Sequence, residues 1–490
     1  MSKPGIKQKQ KFSLTKSTAI FALFIGIIVY LWYSGLPKPA SILLAIASLV
    51  IGGEVLMRVN KFTRIYYGIY MAKGSLGLNL MDRISRRGKW FWKGMADWGM
   101  VMGFGLFSLI IFRKDISKRS VAFGILSILF LLIVVLPYAI LPFAFINIPQ
   151  ITSKLQPSAQ SLSQSGYASF LEYALYASSV LGGFVLYIII ALAYNAWQIL
   201  YGISLAIVTT LTTASPNYTG LASSVAGVAP IIPGITIPLL PGILSLGLLL
   251  VVHEFSHGIL ARISKIKVKS SGTLMLGVIP IGAFVEPEEK AISKLGKKEQ
   301  NRISSAGISA NLVLSFIMFV PTVLFFYYVM PHFYQTYLFI QSVSPGSPAY
   351  NVLVPGSAIL KWNGYNVSNV TSIQAAAKMD RPYENISILT SSGSYVITAN
   401  QTGKVGVDIG QASRLVSGPL SAVASFLYAF ISLSFLLNFL AGIVNLLPLP
   451  SLDGWRIFNT SIKSKRTVTY ITALVITLLI INVLPWLWNL

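Results

Sequence analysis

Time after time along this chain, an apolar run long enough to cross a bilayer as a helix gives way to a short cluster of lysine and arginine. No other pattern restricts the fold so strongly. Backbone inside hydrocarbon must satisfy its own polar groups, which a helix does and an open loop does not. The runs cover residues 18–33, 40–57, 121–146, 176–211, 240–263, 303–330, 420–447 and 468–488. The piece at 98–112 is short for a crossing and reads either as a crossing or as a re-entrant hairpin. Of the 490 residues 54% are hydrophobic and 11% charged, which excludes an ordinary soluble globular protein. The net charge of +24 does not point to nucleic acid, because the basic residues sit in short runs beside apolar segments. They read as anchors on the cytoplasmic side, in contact with anionic lipid head groups.

Orientation follows from those anchors. Lys3, Lys7, Lys9, Lys11 and Lys16 precede the first run, and Leu31, Trp32 and Tyr33 offer no small-residue cleavage site, so an uncleaved first span with a cytoplasmic N-terminus is expected. Residues 58–93 mix nine basic residues with Tyr66, Tyr67, Trp90 and Trp92, the composition of an interfacial cytoplasmic loop. The run at 176–211 is too long for one upright helix, and Asn195 and Gln198 mark an expected turn between two. The count is nine crossings. Prolines 230, 233, 238 and 241 argue for a loop that partly enters the protein before the next helix. Residues 266–287 alternate β-favouring pieces with Gly272, Gly277 and Gly282 and read as a hairpin. Residues 336–411 are polar and Ser/Asn/Gly-rich, a small soluble domain expected outside the cell. Sequons at Asn217, Asn366, Asn369, Asn385 and Asn400 fall on the segments that this topology makes external, and one at Asn459 falls inside.

Two of the three histidines in the chain, His253 and His257, lie four residues apart at the cytoplasmic end of the 240–263 run. On a helix they share a face, where two imidazoles can hold one Zn²⁺ while Glu254 reaches a water beside it. Ionisable groups inside an apolar span are costly, which favours function over accident. With no cysteine anywhere, a third ligand must be a histidine or a carboxylate. Asp453 sits at the same expected depth, where a buried carboxylate demands a partner, although Asp-Gly alone more often marks a turn. Glu286, Glu288 and Glu289 are the competing carboxylates. His332 reads as a solvated or interfacial residue at the external end of a span, and Glu54 as a span residue either protonated or paired with a cation from another helix.

HEFSHG on one helix and NLLPLPSLDG at the end of a later one resemble the site-2 protease family of intramembrane zinc metalloproteases. Gly307 and Asn311 match the Gly-x-x-x-Asn element of that family, with Ile308 where proline is frequent. The 266–287 hairpin stands where the family has a membrane-re-entrant β element. The stretch PGSPAYNVLVPGSAILKWNG resembles a PDZ domain, with Ser357 where aspartate is usual.

The resemblance implies an all-α polytopic membrane protein with a re-entrant β-hairpin and a small extracytoplasmic α+β PDZ-like domain. It divides the chain into an N-terminal membrane region (1–220) with no recognised motif, a first catalytic part (221–335), the PDZ-like insert (336–411) and a second catalytic part (412–490). It further implies one Zn²⁺ per chain on His253, His257 and Asp453, Glu254 as the base, and Asn311, with Asn445 a second candidate, positioning substrate. The implied activity is regulated intramembrane proteolysis of single-span membrane proteins. The lack of cysteine, the pI near 10 and the external sequons suit an archaeal plasma membrane. A different class of function, a zinc-binding scaffold that holds partners through the insert, is disfavoured by the intact Glu254, since a structural site needs no base.

Overall fold

A computed structural model describes residues 14–60, 62–75, 77–135, 166–213, 231–416 and 418–488. Lys3 to Lys11, the second half of the 121–146 run, the Ser-rich stretch that follows it, Asn217 and Pro230 lie outside the described residues. Two compact units emerge, one of residues 1–320 with 430–490, the other of residues 321–429.

The first unit is mostly helical. It contains α1 (Leu14–Tyr33), α2 (Lys38–Asn60), α3 (Leu78–Arg86), α4 (Lys89–Phe104), α5 (Lys118–Phe130) and α6 (Gly166–Thr213). After these come α7 (Leu239–Ile263) and α8 (Lys297–Leu324). Among the described residues eight helical stretches are long and apolar enough to cross a membrane, and α1 adds a shorter apolar stretch, Lys16–Leu31. The protein is a multi-pass membrane protein.

The expected turn at Asn195 and Gln198 does not exist. Helix α6 runs straight through both and breaks instead at Gly183 (φ 64°, ψ −163°). Glycine is required there, because a Cβ would fall 2.3 Å from the backbone of Gly103 on α4. Asn195 is spent on a helix contact, its Nδ2 donating to Asn482 Oδ1 at 2.7 Å. The polar residues that suggest a chain reversal pair two apolar helices instead.

The basic, aromatic stretch 58–93 is not simply a loop. It forms β1 (Thr63–Tyr66) and β2 (Ile69–Gly74), turned at Gly68 (φ 79°), and then α3. These strands extend the expected hairpin, β3 (Val268–Leu276) and β4 (Ile279–Pro287), into one antiparallel sheet of order β1-β2-β3-β4. Tyr70 is buried in it, and its hydroxyl donates to Glu54. Glu54 also accepts from Arg64, so its cation comes from a strand and not from another helix.

The second unit builds a separate core. Strands β5 (Tyr334–Val343), β6 (Ala358–Trp362), β8 (Asn385–Thr390), β9 (Gly393–Thr398) and β10 (Val407–Leu415) form a sheet of order β10-β5-β6-β8-β9, and β7 (Tyr365–Asn366) pairs with β6. On β8 Ile386 and Ile388 are buried while Asn385 and Ser387 are exposed, the period-two pattern of a sheet with one wet face. Leu338, Ile340, Ile359 and Trp362 complete that core. Helix α9 (Val370–Ala377) is capped by the sequon residue Asn369, whose side chain accepts from Ser372 N. His332 is exposed here, as its sequence position suggested.

The chain then re-enters the first unit through α10 (Pro419–Val444), followed by α11 (Asp453–Ser461) and α12 (Lys465–Trp488).

Candidate metal centre

Four residues apart on α7, His253 and His257 face the same neighbour, α8. His257 Nδ1 lies 2.7 Å from the carbonyl oxygen of Ile303, and a carbonyl can only accept, so Nδ1 carries the proton and Nε2 is left with a bare lone pair. His253 Nδ1 lies 3.1 Å from the side-chain amide of Asn311. Amide oxygen and nitrogen exchange places by a simple flip. Asn311 Oδ1 is buried and unpartnered when Nδ2 faces the ring, whereas the flipped amide lets Oδ1 accept from Nδ1–H. Both imidazoles then present bare Nε2 atoms. The ring of His253 lies so close to α8 that a Cβ on Gly307 would fall 2.5 Å from it. Glycine at that position is a condition for the ring to be there.

The third group arrives from the other end of the family-like motif. Helix α10 ends at Val444, and the Asn445 carbonyl accepts from Gly454 N at 2.7 Å, so the proline-containing segment is folded back on itself. A Cβ on Gly454 would fall 2.1 Å from the Leu446 carbonyl oxygen. This tight return puts Asp453 at the first position of α11, with Oδ2 3.1 Å from Nε2 of each histidine. The two Nε2 atoms are 3.2 Å apart.

Those three separations form the edges of a small triangle of lone pairs. One proton can bridge only one edge, whereas a cation at the centre satisfies all three. Metal bonds of about 2.0–2.2 Å at tetrahedral angles separate ligand atoms by about 3.3 Å, so the donor set and its spacing fit zinc. Burial alone would raise the Asp453 carboxyl, but a positive charge on His257 beside it outweighs burial and holds the group well below the usual carboxylate range. A carboxylate set against positive charge in this way is suited to ligate a cation once both rings are neutral.

Glu254 is the next residue on α7, and its Oε2 accepts from the backbone N–H of Val285 on β4 at 3.1 Å. Of the competing carboxylates, Glu286 is held by Ser270 and Lys73, and Glu289 by Arg456. Among the described residues His253, His257 and Asp453 are the one group of three that can hold a metal ion. Asn445 Nδ2 donates to Ala441 O one helical turn back.

Sequence reasoning missed Asp97 and Arg302. Arg302 Nε and Nη2 donate to the two oxygens of Asp97 on α4 at 2.8 and 2.7 Å, and both residues are buried. Arg302 directly precedes Ile303, whose carbonyl holds His257. Ser305 Oγ donates to the Ala96 carbonyl, and Gly99 sits where a Cβ would strike Ser309 Oγ at 1.9 Å. Helix α4 also touches the other half of the site, with Gly103 against Leu446 and Phe104 5.3 Å from Phe458. It therefore braces both the helix behind the histidines and the turn that delivers Asp453. No spacing rule marks a lone aspartate in an apolar helix.

The family model for Peptidase family M50 matches residues 241–484. A Methanocaldococcus jannaschii protein described as uncharacterized is 36% identical over 231 residues, 46% of this chain, which spans 58% of that relative's length. A Clostridium acetobutylicum protein named "Putative zinc metalloprotease" is 23% identical over 291 residues, 44% of this chain and 84% of that protein. Both zinc-site motifs and the whole triangle of donors fall inside the matched range, and through residues 241–484 this chain belongs to peptidase family M50, the site-2 protease family.

Proposed function

We propose that the chain is an intramembrane zinc metallopeptidase that cleaves membrane-spanning segments of single-span proteins, the second cut in regulated intramembrane proteolysis. The observation that carries this reading is the convergence of three lone pairs from His253, His257 and Asp453 beside a fixed glutamate. Zinc held there would supply Lewis-acid polarisation of a scissile carbonyl and acidification of a water. His253, His257 and Asp453 are its ligands, and Asn311 and the Ile303 carbonyl orient the two rings. Glu254 is the general base: Val285 anchors one carboxylate oxygen, and the group takes the proton from water and returns it to the leaving amine. With its amide NH₂ released from the ring in the flipped form, Asn311 also offers a donor for a substrate carbonyl.

A helical substrate hides its amide bonds and must unwind before it reacts. The hairpin is the natural place to hold it. Gly277, in the turn of the hairpin, packs on Leu49 and Gly53 in the middle of α2, which supports a β element that re-enters to mid-span depth. Strand β3 is already covered by β2, so β4 is the hairpin's remaining edge for an extended segment. The second unit, read as PDZ-like, would serve as a docking or filtering module for such substrates.

Glu254→Gln tests the chemistry. The variant keeps an oxygen that accepts from Val285, so it is expected to fold and bind zinc with unchanged stoichiometry while cleavage of a single-span substrate falls about 10²–10⁴-fold. Cleavage undiminished in this variant would remove Glu254 from the role of base.

A further inference from the structure

At the C-terminal end of α7 two adjoining clefts of about 370 and 380 Å³ share Asp82 and Arg86 as lining residues. Helix α3, the turn after it and the first residue of α4 contribute Arg83, Arg86, Arg87 and Lys89. The end of α7 and the segment leaving it contribute Arg262, Lys265 and Lys267. Asp82 is the one acid that lines either cleft, and it is taken by Arg262 at 3.1 Å. Six cations are left around one groove with no further carboxylate on its walls. Such a concentration of one sign raises a potential that only an anion relieves.

Position and composition identify the kind of anion. Helix α7 is long and apolar enough to cross the bilayer and ends at Ile263, so the groove lies just past the end of a span, at head-group depth. Trp90 and Phe91 follow Lys89 directly and are exposed, 82% and 46%. Aromatic rings beside lysine and arginine at a span end belong to the membrane interface, whereas a site for a soluble ion gains nothing from them. The walls are also held together. Met81 of α3 is fully buried, with its Sδ where a Cβ on Gly258 would fall 2.6 Å away, and Phe255 presses on Gly77 at the start of α3. Helix α3 is thus seated on the HExxH helix with its basic side turned outward.

We propose that this groove binds the phosphate-bearing head group of an anionic phospholipid, with Arg86 and Lys89 on one wall and Lys265 and Lys267 on the other. The site locates the anchoring that the charge pattern implies. It rests on the membrane placement of α7 and not on peptidase activity.

The test uses the purified full-length chain in a neutral detergent. Binding of dioctanoyl phosphatidylglycerol, dioctanoyl phosphatidylcholine and inorganic phosphate is followed by native mass spectrometry and by the shift in melting temperature. Phosphatidylglycerol is expected to bind and raise the melting temperature, with phosphatidylcholine much weaker. Arg86→Gln/Lys265→Gln/Lys267→Gln should weaken phosphatidylglycerol on the order of 100-fold. Lys463→Gln/Lys465→Gln/Arg466→Gln, which removes the same charge from another basic loop, should leave it nearly unchanged. Equal binding of the two lipids, wild-type affinity in the first triple variant, or an equal loss in the second would overturn the site. Displacement of the lipid by equimolar inorganic phosphate would overturn the lipid as occupant. Zinc content, measured on the same samples, keeps a failure here separate from a failure of the metallopeptidase reading.

Discussion

Two buried clusters of ionisable side chains meet α8, and they are put together in opposite ways. Around Arg302 each guanidinium nitrogen finds an acceptor: two reach Asp97 and the third reaches Glu299 at 2.9 Å, and Lys93 lies 3.2 Å from Glu299, so the charges cancel within the protein. Around His253, His257 and Asp453, three acceptor lone pairs point at one another across 3.1–3.2 Å with their protons turned outward. The first cluster is complete as it stands. The second is complete only with a cation. A buried polar network that lacks its counter-charge marks a binding site, and one that contains it marks a joint between helices.

Substitutions break this contrast in order of size. Asp453→Asn removes the anionic corner of the triangle, and bound zinc should fall from about one per chain to near none, as read by elemental analysis. Full retention of zinc would return the third-ligand role to a carboxylate outside the triangle. Arg302→Met leaves Asp97 buried and unpaired and should cost about 3–5 kcal/mol in unfolding experiments, whereas Arg302→Met with Asp97→Leu should recover most of that loss. A double variant as unstable as the single one would show that the cluster is not self-contained. Asn311→Leu removes the partner of His253 Nδ1 and is expected to lower zinc affinity about 10–100-fold, measurable by competition with a chelating dye. The smallest effect belongs to a pair outside both clusters. Lys73 and Glu286 meet at 3.2 Å with each side chain 39% exposed, and Lys73→Ala should change stability by no more than about 1 kcal/mol.

Much of the metal centre was legible because its parts are local. His253 and His257 share a helix face by spacing alone, Gly454 is demanded by a turn that begins and ends within NLLPLPSLDG, and Gly307 stands four residues from Asn311 on one helix. Asp453 needed a topological argument, since nothing local links it to a helix nearly two hundred residues earlier. Other features gave no readable signal. Asp97 is a single acid in an apolar helix, and β1 and β2 look like an aromatic interfacial loop until β3 is placed beside them. Asn195 gave a false signal: polarity in a span suggests a turn, but an amide paired with Asn482 costs little and leaves the helix intact.

By itself the order of residues settles what each segment must do alone. Apolar length makes helices of the runs, and a four-residue interval aligns two imidazoles, because these are effects of neighbours along the chain. Which helix stands behind those imidazoles, which strand closes the sheet, and that an unmarked helix, α4, braces both halves of the candidate metal centre were settled by folding. Those outcomes depend on close approach between surfaces distant in sequence, where a missing Cβ at Gly99, Gly103 or Gly307 decides how near two backbones come.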